Sequence, residues 1–310
     1  MTSDDTVRPG HPRSIETLAA LTAEQTEAVL GLLDEAAGTD GQQAVSEQGR
    51  LQLRGGEREG VSHLLLTAGG ELVGYAQLED TDLVEPPAAE LVVHPGHRGH
   101  GHGRALGSAL LAASGKRLRV WAHGGHSAAR HLAQVLGLTL FRELRQMRRS
   151  LTDFDAPEPV LPEGVTVRTF VPGKDDAAWL AVNAAAFAHH PEQGSLTQRD
   201  LDDRKAEPWF DPEGFFLAFR GDELVGFHWT KVHDGPPPVG EVYVVGVSPS
   251  AQGSGLGGHL TLTGLHHLAG RGLGEVLLYV ESDNAAAIAV YSRLGFTHAD
   301  ADTHVQYRRR

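Results

Sequence analysis

Ser248–Leu260 reads SPSAQGSGLGGHL. Before it, GEVYVVGV (Gly240–Val247) is a β-branched run ended by Pro249, so it reads as a strand. After it, GLGGHLTLTGLHHLAGRG (Gly255–Gly272) reads as a helix that begins and stops in glycines. A helix start presents unpaired N–H groups and a partial positive charge. Glycines let the backbone close on a ligand. Strand, loop and helix together form a pyrophosphate cradle. The competing reading is a dinucleotide fingerprint, G-x-G-x-x-G. That motif belongs at a first strand–helix turn, with an acidic residue about 20 residues on. Here the loop follows a hairpin in mid-domain.

The loop is written twice. In HPGHRGHGHGRALG (His94–Gly107), Arg98, Gly101 and Gly103 stand 154 residues before Gln252, Gly255 and Gly257. ELVGYAQLED (Glu71–Asp80) and ELVGFHWTKV (Glu223–Val232) are 152 apart. LGL (Leu136–Leu138) and LGF (Leu294–Phe296) are 158 apart, and QMRR (Gln146–Arg149) and QYRR (Gln306–Arg309) are 160 apart. The order is kept and the offset drifts little, which indicates two copies of one domain. LTDFDAPEPVLPEG (Leu151–Gly164), rich in proline and acid, reads as the linker. The expected domains are 1–154 and 155–310. The histidines of the first loop raise a metal site. A glycine loop is too pliant to fix a metal geometry and there is no cysteine to help, so no metal is expected.

The 310 residues suit two domains, with 40% hydrophobic and 22% charged residues, as in a globular protein. No apolar run reaches the roughly 18 residues of a membrane helix, and MTSDDTVRPGHPRS has no apolar core of a secretory signal. The absence of cysteine excludes disulfides and a cysteine nucleophile, and fits a cytoplasmic setting. A net charge of −13 disfavours nucleic acid and suits a cationic or neutral substrate such as an amine.

The second copy alternates strands and helices. VTVRTF is a strand and DDAAWLAVNAAAFAHH a helix. GFFLAFRGDELVGFHWTKV is a hairpin turning at Gly221-Asp222. EVLLYVESDN is a strand, NAAAIAVYSRLGF a short helix and HVQYRR a last strand. The early hairpin makes the sheet mixed, so the fold class is α/β with a mixed (α+β) sheet.

These residues resemble the GCN5-related N-acetyltransferases. The resemblance rests on the strand, the Arg/Gln-x-x-Gly-x-Gly loop and SDNAAAIAVYSRLGF (Ser282–Phe296). It implies two tandem domains of that fold and acetyl-CoA as the donor. ELVVHP, WAHG, AAFAHHPEQG, WFDPEGF, GFHWTKVH, GEVYVVGV and LLYVESDN also make the chain similar to the tandem-domain mycothiol synthases. That likeness implies acetylation of the cysteinyl amine of a cysteine–glucosamine–inositol pseudodisaccharide. A monomer acting on this small molecule is expected, with no nucleic-acid or membrane partner.

The resemblance places the general base at Glu241, beside the plainer reading of a solvated strand-start glutamate. It places the general acid at Tyr291, otherwise an aromatic packed on the sheet. Val245 and Val247 are expected to offer backbone N–H groups to the acetyl carbonyl and pantetheine, with Gly246 allowing a bulge between them. The acceptor is expected at Glu47, Glu192, Lys231, Glu241 and Tyr279; each taken alone also reads as an ordinary surface group. Acetyl-CoA is expected along Gln252, Gly253, Ser254, Gly255, Leu256, Gly257 and Gly258, and along Asn284, Ala285, Ala286, Ala287, Ile288 and Ala289.

In the first copy the matching stretch is Leu91, Val92, Val93, Arg98, Gly99, His100, Gly101, His102 and Gly103. Ala133 stands at the offset of Tyr291, and Pro87 at the offset of Glu241. The first domain is therefore expected to bind acetyl-CoA without catalysing transfer. An acetyltransferase for another amine, and a non-catalytic acetyl-CoA sensor, remain the alternatives at this stage.

Overall fold

The computed structural model describes residues 13–81 and 85–309. They form two compact units. The first takes the described residues up to Glu143 and those from Thr303 onward; the second is Leu144–Asp302.

The first unit holds β1 (Arg13–Leu18), α1 (Ala23–Asp40), α2 (Glu47–Arg54), β2 (Val61–Ala68), β3 (Glu71–Glu79), β4 (Ala88–Val93), α3 (His102–Ala113), β5 (Leu118–Ala122) and α4 (Ser127–Val135). β6 (Thr139–Ser150) begins in the first unit and ends in the second. The second continues with β7 (Val165–Thr169), α5 (Asp176–Ala186), α6 (Pro191–Gly194), α7 (Gln198–Lys205), β8 (Phe215–Arg220), β9 (Glu223–His233), β10 (Val239–Val247), α8 (Leu256–Gly270), β11 (Glu275–Glu281) and α9 (Ala285–Arg293). β12 (Thr297–Arg309) begins there and ends in the first unit.

This differs from the expected division at 154/155, and β6 and β12 are the reason. Leu144–Ser150 run antiparallel to β11, with Gln146 opposite Tyr279. Val305–Arg309 run antiparallel to β5, with Tyr307 opposite Val120. Each unit's sheet is thus completed by the far end of the strand that closes the other copy. QMRR and QYRR, which echo each other in the sequence, are these two crossing segments.

Within each unit, antiparallel strands meet one parallel pair: β4 with β5, and β10 with β11. Period-2 alternation covers both faces of the first sheet. Leu64 and Leu66 pack on Leu106 and Leu110 of α3, while Leu65 packs with Val29 and Leu33 of α1. In the second sheet, Leu217, Phe227 and Trp229 pack on Trp179 of α5. On its other face, Ala218 and Val225 pack on Leu256 and Leu260 of α8. No helix among the described residues is long and apolar enough to cross a membrane.

Candidate active site

The site grows from β10. Against β9 its register runs from Val239↔His233 to Val247↔Gly226, with a shift between Val242 and Val244. Tyr243 is therefore the extra residue of a β-bulge. The sequence suggested Gly246 as the bulge. Gly246 answers a different need: a Cβ there would lie 2.5 Å from the Phe227 ring. Against β11, pairing covers Gly240–Val242, short of the stretch that holds Val245 and Val247. The two strands part there, which leaves that edge of Val245 and Val247 without a β11 partner.

Into this opening fits a cleft of about 720 Å³. Its walls bring together much of what the sequence singled out. Val245 and Val247 lie on one side, Gln252, Gly253, Gly255, Leu256, Gly257 and Gly258 at the loop, and Ala286, Ala287, Ala289 and Tyr291 on α9. Gly246, Ser254, Asn284, Ala285 and Ile288 are not in the lining. Asn284 instead caps α9, its Oδ1 accepting from the Ala287 N–H at 3.0 Å. The loop suits an anion. No side chain caps the first turn of α8, and its N-cap Gly255 sits at φ 80°, a left-handed conformation that favours glycine. Burial pushes the Tyr291 phenol up to about 12. Arg149 of β6 donates to the Leu294 carbonyl and braces the end of that helix.

Glu241 lies further up β10, outside the cleft lining. It is only 6% exposed. His233 holds it, with Nε2 2.6 Å from Oε2. Lys231 stands directly across on β9. Its ammonium lies 4.4 Å from the Trp209 ring centre and 5.3 Å from that of Tyr243, a cation–π arrangement. Arg204 of α7 donates to the Tyr243 hydroxyl at 2.9 Å. Tyr279 on β11 accepts from Gln146 Nε2 at 2.7 Å. Its phenol is pushed up to about 12, by burial first and then by the Glu241 carboxylate. Glu241, Lys231 and Tyr279 thus form one neighbourhood. Glu192 is exposed on α6, and Glu47 opens α2 in the first unit.

Residues 183–296 match the acetyltransferase (GNAT) family model, and residues 59–137 match a second acetyltransferase (GNAT) domain model. The mycothiol acetyltransferase of Streptomyces coelicolor is 78% identical, over 99% of both chains. The chain belongs to the mycothiol acetyltransferase family. The protein of that name from Thermobispora bispora is 55% identical, over 91% of this chain and 95% of that one. Among solved structures, a tandem GNAT protein from the clavulanic acid biosynthesis pathway superposes with a TM-score of 0.72. It is 19% identical and covers 96% of this chain and 98% of its own, so the likeness is one of fold. This member of the mycothiol acetyltransferase family is an acetyltransferase enzyme, and GNAT acetyltransferases use acetyl-CoA.

The two loops of this family member agree in detail. Gly99 and Gly253 both have φ 79°, and Gly101 and Gly255 have φ 79° and 80°. Arg98 Nε donates to the Val93 carbonyl at 3.1 Å, and Gln252 Nε2 to the Val247 carbonyl at 3.3 Å. The loop-opening residue braces its loop onto its own strand. In the first unit Arg98 also forms a two-pronged bond to Asp40, at 2.7 and 2.8 Å. Register corrects one correspondence. Ala88 pairs with Glu79 as Glu241 pairs with Lys231, so Ala88 rather than Pro87 is the counterpart of Glu241. The Tyr243 bulge accounts for the one-residue slip. Sequence reasoning missed His233, Trp209, Tyr243 and Arg204. His233 had a readable signal, being two residues from Lys231 and so on the same strand face.

Proposed function

We propose that this enzyme transfers the acetyl group of acetyl-CoA to the cysteinyl amine of the cysteine–glucosamine–inositol pseudodisaccharide, yielding mycothiol and CoA. The observation that carries the reading is the layout of β10. One strand offers a buried carboxylate at Glu241 and, past a bulge, the residues lining a cleft that ends in an uncapped helix. Bound there, acetyl-CoA supplies the activated thioester. Gln252–Gly258 and the start of α8 receive its pyrophosphate. The Val245 and Val247 N–H groups face the oxygen that gains charge, the kind of donor that contributes most to such reactions.

Glu241 takes the proton that the attacking amine sheds. An α-amine has a reference pKa near ~8, so a carboxylate held in position suffices. Tyr291 gives its proton to the departing sulfur, and its raised pKa keeps that proton in place until charge develops there. Lys231 and Tyr279 bind acceptor hydroxyls beside Glu241 through directional hydrogen bonds, with Glu47 and Glu192 as further ligands. The first unit keeps the loop geometry and has Ala88 and Ala133 where the second has Glu241 and Tyr291. In this reading it binds acetyl-CoA without transfer.

The test is thiol release from acetyl-CoA with a panel of amines. Acceleration confined to the desacetyl pseudodisaccharide is expected, and equal rates with unrelated amines would overturn the substrate assignment. Equilibrium dialysis of the full chain should find two acetyl-CoA molecules per chain; a stoichiometry of one would remove the first-unit site.

A further inference from the structure

We infer that His233 is the relay through which the proton taken up by Glu241 leaves the site. The inference rests on the reading of Glu241 as the base. Each turnover forms one N–C bond, breaks one C–S bond and takes one proton from the amine nitrogen. A carboxyl that keeps that proton cannot serve the next turnover. Glu241 is 6% exposed, so it has little solvent of its own to discharge into. His233 bridges the gap. Its Nε2 lies 2.6 Å from Glu241 Oε2, and 41% of its side chain is exposed.

The groups described above around Glu241 cannot do this. Lys231, opposite on β9, bears an ammonium with protons to give and no lone pair. Arg204 on α7, held to Tyr243, is a guanidinium with donors alone. Tyr279 on β11 holds its own proton to about pH 12. Leu277, the β11 partner of Glu241, is apolar. Histidine both takes and gives a proton near neutrality. Glu241 passes the proton to a neutral His233, the imidazolium releases one proton to solvent, and both groups return to their starting charge. Tyr291 recovers its proton from solvent separately. His233 does not touch the reacting atoms; it acts through Glu241.

The experiment compares His233→Gln and His233→Ala in the full chain by steady-state kinetics across pH, with and without added imidazole. Glutamine keeps a hydrogen bond to Glu241 but cannot carry a proton. For both variants kcat should fall about tenfold or more, with KM for both substrates unchanged. The pH profile of kcat should differ from the parent's, and imidazole should restore rate in proportion to its concentration. A His233→Gln enzyme with the parent's kcat and pH profile would overturn the relay. So would a loss that imidazole leaves untouched. Glu241→Gln with full activity would instead sink the base assignment, a result the His233 variants cannot produce.

Discussion

Glu241 and Tyr291 owe their parts in the proposed chemistry to different surroundings. Burial favours the protonated form of the Tyr291 phenol, which suits the proposed general acid. The Glu241 carboxylate is held in place by His233 at 2.6 Å. Tyr291→Phe should therefore lower kcat by about 10²-fold or more while leaving acetyl-CoA binding intact, as stopped-flow thiol release and calorimetry would show. Trp209 supports Lys231 through its ring face. Trp209→Leu should raise KM for the acceptor by roughly two- to thirtyfold, matching a cation–π contact of about 0.5–2 kcal/mol, with KM for acetyl-CoA unchanged. At this scale the sequence was half legible. The family resemblance pointed to Glu241 and Tyr291, and the residues by themselves allowed plainer readings of both. Trp209 and Arg204 meet the site from α7 and the turn after it, across a distance in the chain that no local pattern encodes.

β10 shows what an element adds to its residues. Its bulge inserts Tyr243 and moves Glu241 one step relative to the first copy. The sequence suggested Gly246 because glycine permits bulges. Gly246 is there because the Phe227 ring leaves no room for a methyl group. Gly246→Ala should cost about 1–3 kcal/mol in urea unfolding, the range for an overpacked core. The strand–loop–helix unit itself was fully legible, since Gly253 and Gly255 sit in the left-handed region where other residues are strained. The bulge was not, because it depends on which neighbour the strand leaves and where.

Across the molecule, two buried imidazoles set a pH dependence. His228 is pushed down to about 4 by burial, despite its bond to the Leu260 carbonyl. His304 is pushed to about 4 by burial and then by His123. Between about pH 6.5 and 4 the unfolded chain binds more protons than the folded one, so stability is full above that window and falls as pH drops through it. Thermal melts from pH 7.5 to 4.5 should show a falling Tm, and His228→Phe, if it folds, should flatten the fall. The tandem repeat was legible in the collinear motifs. The crossing of β6 and β12 was not, because both copies carry the same strand in the same place and nothing in a repeat says which sheet it joins. Deleting the chain from Thr303 onward should expose β5 to hydrogen exchange, since Val305–Arg309 are its partners.

That crossing also bears on how the protein is made. Strand β5 emerges from the ribosome long before the residues that cover its edge, which follow after the whole of the second unit. At about 5–20 residues per second the wait is on the order of ten seconds or more. Through that interval the nascent first unit carries an open strand edge, the kind that other chains can pair with. The gene's order of translation thus makes the first unit, the earlier of the two to appear, the later to be finished.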